Sequence, residues 1–296
     1  MTPAAGIPAW RALTPARHHL GEGARWTGGV LHYVDLLRGD LFRVPGASEE
    51  TPAPLLRLGM PLGAVAPLAG GRAGEWIAAA GDGIARLDAR GAVEWLARPA
   101  PRAGPALRMN DGACDPSGRF WVGSMAADAT DGAGALHRTD PDGTVHEVLD
   151  GLTVPNGPAF TADGRLMYLA DSARGTITRY PVDPATGGLG APEPFARLAP
   201  GEGRPDGMTV DDGQNLWVAL WGGGRVLCLG PDGTRRCAVA VPADRPTSVA
   251  FGGGLMFVTT ARHRLERPGP LDGAVFARPT EVTAPPALPF GPPGGS

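Results

Sequence analysis

Six short segments of the chain repeat one hydropathy pattern, an aromatic or apolar run that ends in small residues: Leu31 to Asp35, Glu75 to Ala79, Phe120 to Ser124, Met167 to Asp171, Leu216 to Leu220 and Leu255 to Thr259. Apolar and aromatic runs of this length, bounded by turn residues, read as strands. With Tyr33, Trp76, Trp121, Tyr168, Trp217 and Phe257 as equivalent positions, the successive spacings are 43, 45, 47, 49 and 40 residues. Periods of that size point to propeller blades. Turn signals precede several of the segments at a fixed offset: Asp115-Pro-Ser-Gly118, Ala162-Asp-Gly164 and Asp211-Asp-Gly213. Hairpin turns require Gly or Asn where φ is positive, so this repetition has a physical cause. A second apolar stretch and another turn follow, as in Gly134 to Asp140 with Pro141-Asp-Gly143. Blades of four antiparallel strands occupy roughly 45 residues. The pattern therefore predicts an all-β chain, a six-bladed β-propeller forming a single domain over residues 1–296, with loop-like termini at about 1–14 and 285–296. No stretch shows the three- and four-residue apolar spacing that a helical solenoid needs.

Composition agrees with this reading. Gly at 46 and Pro at 32 suit a chain of many short strands, and 43% hydrophobic against 19% charged residues is the balance of a soluble globular protein. All 27 basic residues are Arg, which excludes a Walker-type phosphate loop and any Schiff-base lysine. A net charge of -3, without an Arg cluster interleaved with aromatics, argues against nucleic acid as a partner. Met1 to Trp10 lacks a charged segment followed by an apolar run, and no stretch approaches a membrane span. A cytoplasmic, monomeric protein with no membrane attachment is expected. Cys114, Cys228 and Cys237 are odd in number and unhelpfully spaced, which fits small buried hydrophobes better than disulfides or zinc.

The polar residues share the phase of the strands. Glu22 precedes Tyr33 by eleven residues, Asn110 precedes Trp121 by eleven, Asp206 precedes Trp217 by eleven and Asn156 precedes Tyr168 by twelve. Inner strands of a propeller face one central channel, so oxygen donors in phase would converge there although distant in sequence. Two carboxylates and two amide oxygens suit a hard divalent cation. Asn or Asp before Gly is also ordinary turn chemistry, and spacing alone leaves both readings open. Gly21-Glu-Gly23 favours the site, because a turn has no special use for a long carboxylate there.

Five stretches together carry a resemblance: Leu20-Gly-Glu-Gly-Ala-Arg-Trp26, Arg108-Met-Asn-Asp-Gly-Ala-Cys-Asp-Pro-Ser-Gly-Arg-Phe-Trp-Val-Gly-Ser-Met125, Pro155-Asn-Gly157, Arg204-Pro-Asp-Gly-Met208 and Leu216-Trp-Val-Ala-Leu-Trp-Gly-Gly-Gly-Arg-Val226. From about Leu20 to about Phe276 the chain resembles the gluconolactonase, regucalcin and senescence-marker-protein-30 family. The resemblance implies a six-bladed propeller with one divalent ion held by Glu22, Asn156 and Asp206. It places Ca²⁺ ahead of Zn²⁺, Mg²⁺, Mn²⁺ and Fe²⁺. It also implies a substrate pocket lined by Arg108 and Asn110, with Asp128 where some members carry a Glu that contacts sugar hydroxyls.

The implied activity is hydrolysis of a small-molecule sugar lactone to its aldonic acid. In that chemistry a metal polarises the carbonyl, and Asp206 orients or activates water as the catalytic residue. Gly-x-Ser-x-Gly does not occur, and nothing places His18, His19 or His263 near a nucleophile. Two other readings use the same channel: a non-catalytic propeller that binds a metal or a sugar acid, and a hydrolase of other esters or organophosphates.

Overall fold

The computed structural model describes residues 9–14, 17–45, 52–99 and 106–292. Among them every regular element is a strand, and no helix is long and apolar enough to cross a membrane. Six four-stranded antiparallel sheets follow one another along the chain. Blade 1 comprises Gly21–Thr27, Val30–Asp35, Asp40–Pro45 and Pro54–Arg57, and blade 2 Leu62–Pro67, Trp76–Ala80, Gly83–Leu87 and Val93–Ala97. Blade 3 comprises Leu107–Cys114, Phe120–Ala126, Gly134–Thr139 and Val145–Leu152, and blade 4 Pro155–Phe160, Leu166–Asp171, Thr176–Pro181 and Glu193–Arg197. Blade 5 comprises Arg204–Val210, Leu216–Trp221, Arg225–Leu229 and Arg235–Ala240. Blade 6 is built from Pro246–Gly252, Leu255–Thr260 and Phe276–Pro279, and its outer strand is Arg11–Ala12 from the other end of the chain. The first strand of each blade packs against the first strands of both neighbours, closing a ring of six around a central channel. The six-bladed propeller expected from the repeat is therefore the fold.

The segments that carry the repeat are the second strands, and they are buried almost completely. Their aromatic residues fill the space between blades: Trp121 packs on Phe160 and Trp217 on Phe251, ring to ring from one blade to the next. In each case the Asp that opens the preceding turn accepts the indole N–H, Asp115 from Trp121 at 2.9 Å and Asp211 from Trp217 at 2.8 Å. The turn signal is thus also a polar anchor for a buried indole. In blade 1 the equivalent residue is His32, which is paired with Arg25 and faces Trp76 at 5.0 Å, and Tyr33 turns to the other side of the sheet; in blade 2 it is Ile77, paired with Ala66, and Trp76 turns back toward blade 1. A one-residue shift exchanges the faces of a strand, so the hairpin of blade 1 is one residue shorter than the repeat suggested.

Both ends of the chain are tied to the ring. Arg11–Ala12 lies inside the stretch expected to be loop, yet pairs with Ala277 and Phe276. Residues 280–291 run across the end of the channel where the inner strands finish. Thr280 bonds to Gly254 of blade 6, Thr283 to Asp212 of blade 5, Ala287 to Trp26 of blade 1, Phe290 to Pro67 of blade 2 and Gly291 to Gly118 of blade 3. This strap spans much of the 285–296 stretch expected to be loop-like, of which residues 293–296 lie outside the described residues. It has no regular structure, but Phe290 is buried and the backbone hydrogen bonds are made to five blades, whereas at the other end, where the inner strands begin and the channel opens, Arg204 and Arg264 are exposed.

Candidate functional site

Every inner strand breaks register with its neighbour at the same level: between Glu22 and Arg25, Leu62 and Ala64, Met109 and Gly112, Asn156 and Ala159, Pro205 and Met208, and Pro246 and Ser248. A bulge bends the strand and re-aims a side chain. Counting from the paired positions beyond each bulge places Glu22, Gly63, Asn110, Asn156, Asp206 and Thr247 at one level of the six strands. Four are the residues singled out by spacing. In blade 2 the position must be Gly63, because a Cβ there would sit 2.1 Å from the carbonyl oxygen of Asn110. In blade 6 Thr247 turns its hydroxyl to the carbonyl of Gly21, 2.5 Å away, and to Thr259. It ties the last blade to the first.

Glu22, Asn110, Asn156 and Asp206 are all buried. A line of hydrogen bonds links two of them and ends one residue short of a third. Arg108 Nη1 donates to Asn110 Oδ1 at 2.7 Å, Asn110 Nδ2 to Asn156 Oδ1 at 2.8 Å and Asn156 Nδ2 to Ser172 Oγ at 2.8 Å. Ser172 Oγ then donates to the carbonyl of Pro205 at 2.5 Å, one residue before Asp206. The line fixes which face of each amide presents oxygen. A second network lies beside it. Asp111 accepts from Arg25 of blade 1 at 3.0 Å, from Gly112 N–H at 2.8 Å and from Gly157 N–H of blade 4 at 3.2 Å. One carboxylate thereby joins three blades beside the bulges.

The electrostatics of the pocket ask for a cation. Burial pushes the Glu22 carboxyl well above the usual range, and the charges of Asp206 and Asp111 push it further. Burial and Asp111 do the same to Asp206, against the weaker pull of the Gly207 N–H and Arg108. Glu22 receives only a 3.3 Å contact from the Gly23 N–H, and Asp206 Oδ1 is buried without any hydrogen-bond partner. Two desolvated carboxylates in mutual repulsion are costly unless a positive charge lies between them. No group of three or more His, Cys, Asp or Glu side chains suited to a metal occurs among the described residues. The donor set here is two carboxylates completed by an amide oxygen, a hard all-oxygen set that fits Ca²⁺ or Mg²⁺.

Arg108 is half-buried, and burial pulls its guanidinium down to about 10 although Glu22 and Asp206 oppose this, which leaves it charged at neutral pH. Asp128 follows Met125, the cross-strand partner of Arg108, by three residues, and its side chain bonds to Thr130 rather than to this cluster. It is exposed on the loop after Phe120–Ala126, where Oδ1 accepts from the N–H and hydroxyl of Thr130. Sequence reasoning missed Ser172, Arg25 and Asp111. Asp111 stood inside a quoted motif but looked like one half of an Asx turn, and Ser172 follows a strand with no spacing signal of its own. Cys237 is exposed, unlike Cys114 and Cys228. A separate cavity of about 210 Å³ lies between the bulges and the strap, lined by Trp26, His32, Trp76, Phe160 and Leu288 among others. None of Glu22, Asn156 and Asp206 borders it.

Comparison with known proteins gives a consistent picture. A family model described as the SMP-30/gluconolactonase/LRE-like region matches residues 20–262. The chain is 33% identical over 276 residues to the 6-deoxy-6-sulfogluconolactonase of Pseudomonas putida, covering 90% of this chain and 92% of that protein. It is 42% identical over 157 residues to the pentonolactonase XacC of Haloferax volcanii, covering 52% of this chain and 53% of that relative, about half its length. Among solved structures, a calcium-binding protein, regucalcin, from Agrobacterium tumefaciens superposes with a TM-score of 0.86 at 28% identity, covering 96% of this chain and 97% of that one.

Proposed function

The chain belongs to the SMP-30/gluconolactonase/LRE-like family, and from that premise we propose that it hydrolyses a sugar lactone to the aldonic acid with the aid of one divalent cation. The observation that carries this reading is the buried Asp206 Oδ1 without a hydrogen-bond partner, set beside a second buried carboxylate and an oriented amide oxygen. The names of the relatives, a pentonolactonase and a sulfogluconolactonase, support the same reaction class.

Glu22, Asn156 and Asp206 would hold the cation. When bound, it supplies Lewis-acid polarisation of the lactone carbonyl and charge stabilisation as the ester opens. Asp206 would orient the attacking water, take its proton as the water oxygen bonds to the carbonyl carbon, and return that proton to the ring oxygen as the ester C–O bond breaks. Arg108 offers the remaining donors of its fork to ring hydroxyls, its Nη1 being committed to Asn110 and to the carbonyl of Met109 at 3.1 Å. Asn110 is committed on both atoms, its Nδ2 also donating to Pro155 O at 2.8 Å, so it positions Arg108 and Asn156. Asp128 is given no part.

The test is pH-monitored opening of glucono-, galactono-, xylono- and arabinono-lactones by chelator-stripped protein, resupplied separately with Ca²⁺, Mg²⁺, Mn²⁺, Zn²⁺ or Fe²⁺. Cation-dependent acid release that disappears in Asp206→Ala supports the reading. Rates equal to spontaneous opening for every pairing would leave a propeller that binds without turnover.

A further inference from the structure

Two residues before the site level, the chain carries an arginine in three blades: Arg108 in blade 3, Arg204 in blade 5 and Arg245 in blade 6. Pairing establishes the equivalence of the first two. Arg108 opposes Met125 and Met109 opposes Ser124, as Arg204 opposes Trp221 and Pro205 opposes Leu220. Arg245 immediately precedes the inner strand of blade 6 and stands two residues before Thr247. Arg108 reaches the site level directly through Asn110, and Arg204 and Arg245 meet at Trp221, which is the cross-strand partner of one and lies under the guanidinium of the other. All three stand at the end of the inner strands where the channel opens, and Arg108 is the one whose charge reaches Glu22 and Asp206.

A fourth arginine joins them. Arg264 lies in the long loop that connects Leu255–Thr260 to Phe276–Pro279, with φ at 62°, a conformation that non-glycine residues adopt at a cost. Its neighbour His263 places Nδ1 3.1 Å from Nε2 of His19 and accepts at its carbonyl from Arg245, whose guanidinium lies 4.9 Å over the ring of Trp221. The crowding of positive charge registers on His263. Burial, then His19, Arg264, Arg108 and Arg245 in turn, lower its pKa to about 4.

Among the described residues, one of these four arginines, Arg245, has a carboxylate at ion-pair distance. Arg108 hydrogen-bonds only neutral oxygens. Among the described residues no carboxylate lies within ion-pair distance of Arg108, Arg204 or Arg264, and Arg245 has Asp244 at 3.6 Å. Glu22 and Asp206 lie deeper and are the groups that a bound divalent cation neutralises. We propose that the open end of the channel selects a lactone bearing an anionic substituent, a carboxylate, phosphate or sulfonate, remote from the ester carbonyl. This rests on the lactone-hydrolase reading of the site and names its substrate class. The anion meets guanidinium donors at the rim, and the carbonyl reaches the carboxylate level below.

The experiment compares kcat/KM of the cation-loaded protein on matched pairs. One pair is 6-phosphoglucono-1,5-lactone against glucono-1,5-lactone, the other glucaro-1,4-lactone against glucono-1,4-lactone, so that phosphate and carboxylate are read separately. At low salt the anionic member of at least one pair is expected to lead by about tenfold, and the lead to shrink severalfold at about 0.5 M NaCl. Arg204→Gln and Arg264→Gln should each reduce that lead by about fivefold while leaving the neutral lactone within about twofold. Neutral lactones turned over as well as or better than both anionic ones would overturn the proposal. If no lactone is hydrolysed, the activity reading fails by itself, and calorimetry of 6-phosphogluconate against gluconate then decides. Tighter binding of the phosphorylated acid upholds anion selection, and equal binding ends it.

Discussion

The side-chain amide of Asn110 donates to the amide oxygen of Asn156 across 2.8 Å, joining the inner strands of blades 3 and 4 at the level of the two buried carboxylates. The bond is the middle of a line that begins at Arg108 and ends on the carbonyl preceding Asp206. Partners behind a metal ligand set its orientation and its basicity. The orientation of the Asn156 amide therefore depends on the Ser172 hydroxyl as well as on Asn110.

Ser172→Ala removes that hydroxyl. Asn156 Nδ2 then loses its acceptor and the amide is free to rotate. We expect cation affinity to fall by about tenfold, read by calorimetry, with an unchanged far-UV circular dichroism spectrum. Affinity equal to that of the parent would mean that Asn110 alone orients Asn156.

Asp206→Asn keeps the shape of the side chain and removes its charge. In chelator-stripped protein the exchange relieves repulsion with Glu22 and Asp111, so the melting temperature should rise. In cation-saturated protein it should fall, because affinity drops by about 100-fold or more and linkage stabilisation goes with it. Differential scanning fluorimetry with and without cation reads both signs, and a drop in both conditions would contradict the repulsion argument.

His32 makes stability depend on pH. Burial lowers its pKa from 6.5 to about 4, assisted by Arg43. Both cross-strand partners, Arg25 and Arg43, are cationic, and Nδ1 has no hydrogen-bond partner. The unfolded chain takes up this proton below about pH 6.5 and the native protein does not. The contribution is thus fully present above that pH and is lost as pH falls toward 4, up to roughly 3 kcal/mol. His32→Phe should flatten the fall in urea midpoint between pH 6.5 and 4. His263 acts with the same sign and remains in both proteins.

Phe290 lies in the strap, 3% exposed, where its backbone pairs with Pro67 and Ala69. Phe290→Ala should cost about 3–5 kcal/mol, the range for a buried aromatic, despite the absence of regular structure around it. A denaturant midpoint shifted at constant slope would show this. A cost below about 1 kcal/mol would make the strap a loose cover.

The blades were legible because their signals are local. Asp115-Pro-Ser-Gly118 before Trp121 and Asp211-Asp-Gly213 before Trp217 encode a turn and the anchor for the indole that follows, all within seven residues. Glu22, Asn110, Asn156 and Asp206 could be aligned for the same reason, since each stands ten to twelve residues before the paired position of a strand that announces itself. Asp128 was assigned to the pocket by resemblance, and its place on an exposed loop depends on chain geometry that no motif records.

By itself the sequence determined the number of blades, the strand that each aromatic run forms and the residues that carry oxygen donors in phase. Those features depend on turn chemistry and two-residue alternation within about fifty residues of chain. Only the tertiary structure decided that Arg11–Ala12 completes blade 6, that the stretch around Phe290 closes one end of the channel, that Ser172 orients Asn156 and that Arg108, Arg204 and Arg245 share one rim. These relationships join segments that ring closure and the bulges bring together. A bulge changes which way a side chain points by a single residue of register, a shift that hydropathy does not encode.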